Sequence, residues 1–250
     1  MKRLLRAEAH FLARTRFLLP GFLGLLAFYF LLRWVNYPSM ELLAAQSASR
    51  GMDLDAYADL YLRGAFQQAL ADRSFVFFLA AMTSLGLITW GRESGQLRLY
   101  RQTGHNVRAT WGMKAGLVLV LCVLAGLLEP LCVVGRYWWF WREVPGGAFF
   151  QALALRTLNV LVLAPVSLLV ALLSPRLIPG LIADLLIMYL LFRDVLRGLF
   201  PQAKLLGVLL SAQCDLELVR AQWQSILLLF GGECLVVILY IVLRGSRLDL

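Results

Sequence analysis

A chain of 250 residues that is 60% hydrophobic, with a mean hydropathy of +0.74, is too apolar for a soluble domain, where about half the residues are apolar. The apolar residues are gathered into long runs, as in helices that cross a bilayer, where about 20 of them cover ~30 Å of hydrocarbon. A β-barrel is disfavoured, because barrel strands alternate apolar and polar residues, and "LLLFGGECLVVILYIVL" does not. The net charge of +9 is spread over many loops with no recognition helix or stacking module, which fits cytoplasmic loops and lipid headgroups and not nucleic acid.

In chain order, residues 1–16 ("MKRLLRAEAHFLARTR") are basic and amphipathic, and they predict an interfacial helix on the cytoplasmic face. No small-residue cleavage site follows, so a signal peptide is not expected. The first predicted span is Phe17–Trp34, followed by a long acidic, helix-prone piece from Asn36 to Arg73. Span two is Phe75–Trp90, and a polar basic loop, 91–114, separates it from span three, Ala115–Val134. The cluster "YWWFW" at 137–141 suits the outer headgroup belt. Spans four, Gln151–Leu173, and five, Leu177–Phe192, are divided only by "SPRLIPG", whose prolines and glycine end one helix and start the next. Residues 193–223, with apolar stretches broken at Pro201, predict a broken extracellular hairpin before span six, Ile226–Leu243. The fold class expected is therefore an all-α membrane protein, one transmembrane domain over 1–250 with six transmembrane helices.

Lys and Arg totals on the two sides barely differ, but density separates them. Five precede Phe17 and five lie in the 91–114 loop, both short segments beside span ends where the positive-inside bias acts. Glu41, Asp53, Asp55, Asp59 and Asp72 crowd the opposite side. The topology expected is N-in, C-in, in the cell inner (plasma) membrane.

Catalysis within this chain is not expected. The two histidines, His10 and His105, both fall in basic cytoplasmic segments, too few and too shallow for a metal site or a Ser–His pair. Cys122, Cys132, Cys214 and Cys234 show no CxxC spacing and read as small hydrophobes, so no metal and no disulfide framework is predicted. No GxxxxGK[ST] loop is present, so ATP, if it drives this chain, is bound by another polypeptide. Three carboxylates fall at membrane depth: Glu129, Asp184 and Glu233. Charges there are costly and face a bundle interior or a water-filled path, so these three are the candidate polar lining; the bland alternative is a boundary position or an arginine partner.

The loop "GRESGQLRLYRQTGHNVRATWGMKAG" carries the most specific signal. Its first part can form a short helix across the membrane face, with Gly91 and Gly104 as flanking breaks. Glu93, Gly95, Leu97, Leu99, the Thr103-Gly104 turn and Lys114 make it resemble the cytoplasmic loop of ATP-binding-cassette (ABC) exporter permeases of the second type. The basic N-terminal helix, the six spans and the broken hairpin before the last span extend that resemblance over essentially the whole chain. Two positions depart from the family pattern: Gln96 stands where Thr is common, and Gly104-His105 where the turn often holds Pro. The resemblance implies that the loop is a coupling helix, in which Arg92, Glu93, Gly95, Leu97, Arg98, Leu99 and Arg101 contact a separate ATPase subunit. It also implies a dimer of permeases, identical or diverged, with no cofactor in this chain and ATP-Mg held by the partner. The path would run chiefly between spans one, two and five, for a hydrophobic or amphipathic cargo. The rival reading is a non-transporting membrane scaffold anchored through the same loop.

Overall fold

The computed structural model describes residues 18–102, 106–137, 146–192 and 216–244. Among them the chain is helical, without a β-strand. The interfacial helix expected over 1–16, the cluster at 138–141, the hairpin over 193–215, His10, His105 and Cys214 lie outside the described residues.

Helix α1 (Leu18–Asn36) leads to a helical pair, α2 (Met40–Ser49) and α3 (Leu54–Ala71). Ser39 caps α2 by accepting from the Leu42 amide, and Asp53 caps α3 by accepting from the amides of Asp55 and Ala56, as polar side chains do at open helix starts. Gly51, at φ 64°, makes the turn between them, a left-handed conformation that glycine adopts without a Cβ penalty. The acidic piece is thus a capped helical pair. Its inner face (Leu43, Tyr57, Leu62, Phe66, Leu70) packs on Val133, Val134 and Tyr137, and the Tyr137 hydroxyl donates to the Pro38 carbonyl at 2.7 Å.

Four helices among the described residues are long and apolar enough to cross a membrane: Ser74–Glu93, Val107–Arg136, Phe149–Leu173 and Trp223–Arg244. The first is continuous but changes winding: α4 (Ser74–Ser84), a π-helical turn (Leu85–Thr89) and α5 (Trp90–Glu93). It runs three residues beyond the predicted end at Trp90. Next come α6 (Gln96–Gln102) and α7 (Val107–Arg136), which starts eight residues before the predicted Ala115. The 91–114 segment is therefore mostly helix. Asn106 caps α7, and the break falls at Gly95 (φ 72°) instead of at Gly91.

The fourth span divides into α8 (Gly146–Leu161) and α9 (Ala164–Leu173), where the sequence suggested one unbroken run. The cause is Pro165, which offers no amide to the carbonyl of Leu161. Helix α10 (Leu177–Phe192) has the predicted limits, and α11 (Leu216–Ala221) precedes α12 (Trp223–Arg244).

The principal core joins α4, the π turn, α7, α9 and α12 around Trp111, Val118, Leu168 and Leu172. Hydrocarbon supplies little hydrophobic drive between helices, so close packing at small residues matters. Two glycines provide it. A Cβ on Gly126 would lie 2.8 Å from Val160 Cγ2, and one on Gly180 would lie 2.5 Å from Leu85 Cδ2. Cys122 lies in this core, Cys132 is buried, Cys234 is half-buried, and none of the three forms a disulfide.

Candidate functional site

The junction between the long apolar helices is built around the π turn. A π turn inserts a residue and disturbs the regular ladder, leaving backbone groups to be satisfied otherwise. Lys114, fully buried on α7, donates to the Leu87 carbonyl at 2.6 Å and to Gln96 Oε1 at 3.0 Å. Gln96 in turn donates to the Tyr100 hydroxyl at 2.9 Å. One ammonium thus holds span two, the short helix α6 and span three together. Gly91 makes room for it: a Cβ there would sit 2.7 Å from Lys114 Nζ. The family-like lysine is a buried tie, inside α7 and not at the start of the span.

The next two residues reach the other way. Arg92 donates from its two terminal nitrogens to the Ser174 carbonyl (2.8 Å) and the Leu172 carbonyl (3.1 Å), which capping by a cation suits at a helix C-terminus. Its guanidinium lies over the Trp111 ring, 5.4 Å from the centroid. Glu93 Oε1 accepts from the Leu177 amide at 2.9 Å, an anion at the start of α10. The Thr89 hydroxyl donates to the Ala171 carbonyl at 3.1 Å. An Arg–Glu pair on one helix end therefore clasps both sides of the "SPRLIPG" turn, so α5, α7, α9 and α10 share one junction.

Of the residues expected to face a partner, Arg92 is half-buried with both terminal nitrogens bonded inside the chain, Glu93 is exposed with Oε1 bonded to the Leu177 amide, and Gly95 forms the break before α6. Arg98 is exposed on α6. Leu97, Leu99 and Arg101 lie on the same helix, with side chains outside the described set. Pro175 and Arg176 of the clasped turn are exposed beside this surface.

The three membrane carboxylates do not converge. Glu129 is buried within α7, where it and Asp72 act electrostatically on the fully buried Arg156. Arg156 donates to the Gly126 carbonyl (3.0 Å) and the Leu70 carbonyl (2.9 Å), and Asn159 also donates to Leu70 (3.2 Å). For Glu129 the charge acted on is that of Arg156 on α8. Glu129 also forms the floor of a cavity of about 400 Å³ walled by Asn36, Tyr37, Tyr61, Gly64 and Gln68. Asp184 is buried between α10 and α9, and Glu233 is half-buried on α12.

The sequence reading did not single out Arg156, although a lone arginine inside "QALALRTLNVL" is itself a signal of a paired interior charge. The anchoring by Thr89 and Gln96 had no such signal. Among the described residues, no group of three or more His, Cys, Asp or Glu side chains gathers as a metal site would require. No protein-family model matches the chain, and no curated protein or solved structure matches it either.

Proposed function

We propose that the chain is a permease subunit of an ATP-driven ABC exporter, with six spans, N-in and C-in, in the inner membrane. It pairs with a second permease copy and receives its driving force from a separate ATPase subunit that binds ATP-Mg. The supporting observation is the clasp of Arg92 and Glu93 on the turn between spans four and five, with Lys114 tying the same segment to span three. A docking helix that only rested on the membrane face would transmit nothing. One bonded to four spans passes any displacement to them as a unit, as rocking of rigid helix groups requires. Arg98, exposed on α6, is the charge offered to a partner, where it sets register more than affinity.

Two substitutions separate docking from transmission. Arg98→Glu reverses the exposed charge, and a co-purifying ATPase is expected to dissociate. Glu93→Ala removes the carboxylate half of the clasp, and the ATPase is expected to stay bound while transport-linked ATP turnover falls by about tenfold, the scale set by losing about 1.4 kcal/mol of coupling. A natural preparation with no ATPase, or full turnover in both variants, overturns the reading in favour of a scaffold.

A further inference from the structure

The cavity above Glu129 is a second site, remote from the clasp. Glu129 follows Lys114 by fifteen residues on α7, about 22 Å along the helix axis. The cavity, about 400 Å³, opens between the end of α1 at Asn36, the adjoining Tyr37, α3 and α7. Its size falls within the range of small-molecule sites, about 300–1,000 Å³. Glu129 at its floor is 4% exposed, while Asn36, Gly64 and Gln68 at its mouth are exposed.

Gly64 keeps that mouth open. It lies in the middle of α3, where a glycine weakens the helix. Its φ is not positive, and a Cβ built on it meets nothing within 4 Å, so neither the backbone nor the packing calls for the missing side chain. What the glycine leaves clear is the entrance above Glu129.

The wall is chemically selective. Its described residues hold one charged group, the Glu129 carboxylate, together with the rings of Tyr37 and Tyr61 and the amides of Asn36 and Gln68. A carboxylate and aromatic faces suit an ammonium group. The amides at the mouth offer N–H donors to an anionic oxygen. Total charge sets a second condition. Two fully buried arginines, Arg73 and Arg156, stand behind the floor with Glu129 and Asp72, two charges of each sign. A ligand of net positive charge would upset that balance in a partly dry site, which is costly. A zwitterion brings its ammonium without doing so.

The cavity also stands at the end of an apolar row. Phe28, Leu31 and Val35 share one face of α1, at i, i+3 and i+7, and are 61%, 61% and 70% exposed. That row leads to Asn36 and Tyr37. On α7, Glu129 lies about two turns before the helix ends at Arg136. Tyrosines near the ends of apolar helices mark the headgroup level. We propose that the cavity binds the phosphoethanolamine headgroup of a membrane lipid. Its ammonium donates to Glu129 between the rings of Tyr37 and Tyr61, its phosphate accepts from Asn36 and Gln68, and an acyl chain follows the row on α1. A choline headgroup fails at the same place, because three methyl groups replace its N–H donors. The assignment needs only a chain that sits in a bilayer, and it stands apart from ATP coupling.

The test is native mass spectrometry of the full chain in detergent, titrated with phosphatidylethanolamine, phosphatidylcholine and phosphatidylglycerol of the same acyl chains. One ethanolamine lipid per chain is expected to bind saturably, about tenfold more tightly than either of the others, the scale of one lost charge-assisted contact. Gly64→Leu fills the mouth from an open helical position and leaves Glu129 in place. It is expected to abolish the preference while the thermal midpoint stays the same or rises. Glu129→Gln, nearly isosteric and uncharged, is expected to abolish the preference as well. Equal binding of the three lipids by folded wild-type protein overturns the site, as does a preference that survives in Gly64→Leu. Soluble glycerophosphoethanolamine separates the sources. Displacement of the lipid only at large excess is expected; displacement at equimolar concentration overturns the lipid and identifies a free solute carrying the same headgroup.

Discussion

Lys114 shows how much one buried charge can organise. Its ammonium is fully buried, and the Leu87 carbonyl and Gln96 amide meet it where the π turn has loosened the ladder. Lys114→Met keeps the length of the side chain and removes the donors. It is expected to destabilise the protein by about 1–3 kcal/mol, the cost of leaving buried acceptors unmade. The check is thermal unfolding in a fixed detergent, followed by proteolysis of the α6 segment, which should become the first cut. Lys114→Arg is not expected to rescue, because the slot beside Gly91 is shaped to a single nitrogen. The sequence exposed this lysine by its place in the motif. Its depth was hidden, because the start of α7 eight residues earlier depends on Asn106 as a cap, and Asn106 looks like any loop residue in the linear text.

At the scale of elements, the contact of α7 with α8 rests on Gly126 facing Val160, beside the Arg156 bond to the Gly126 carbonyl. Gly126→Ala places a methyl group 2.8–3.0 Å from both Val160 methyls, so the helices must part or the valine must turn. The expected loss is about 1–3 kcal/mol, as for other overpacked cores. Val160→Ala in the same chain should recover most of it, a non-additivity that a double-mutant cycle in thermal or denaturant unfolding will read. Full additivity would mean that the two residues do not meet. Hydropathy had located both helices, since long apolar runs identify spans regardless of their neighbours. It could not say which glycine served as a contact, because Gly24 and Gly116, for example, have open space where a Cβ would go. It also treated span four as one run; the interruption at 162–163 follows from Pro165, whose missing amide is a local fact that an averaged hydropathy conceals.

At the scale of the whole molecule, one end is polar and tied, the other capped by an acidic helical pair, and the flank is apolar. Leu228, Leu235, Ile238 and Leu243 project from α12 with about half or more of each side chain exposed, as a lipid-facing or permease-facing surface would. The inside–outside assignment follows from charge density and has a direct check. Arg98→Cys should react with an impermeant maleimide only in inverted vesicles, and Asp55→Cys only in right-side-out vesicles. The same side for both would refute the topology. The helical character and the long apolar helices could be read from the order of residues. The tertiary pairings could not: Arg92 and Glu93 meet carbonyls and an amide some eighty residues away, and backbone groups leave no trace in composition.

The π turn at Leu85–Thr89 has one more consequence, which concerns phase. A single added residue rotates everything after it by about 100° around the helix axis and advances it by about 1.5 Å. The side chains that follow in α5 therefore point where an uninterrupted α-helix would not send them. Arg92 and Glu93 owe their aim at the turn between α9 and α10 to that offset. The two residues are chemically ordinary; their azimuth is set one turn earlier, by an irregularity in the backbone.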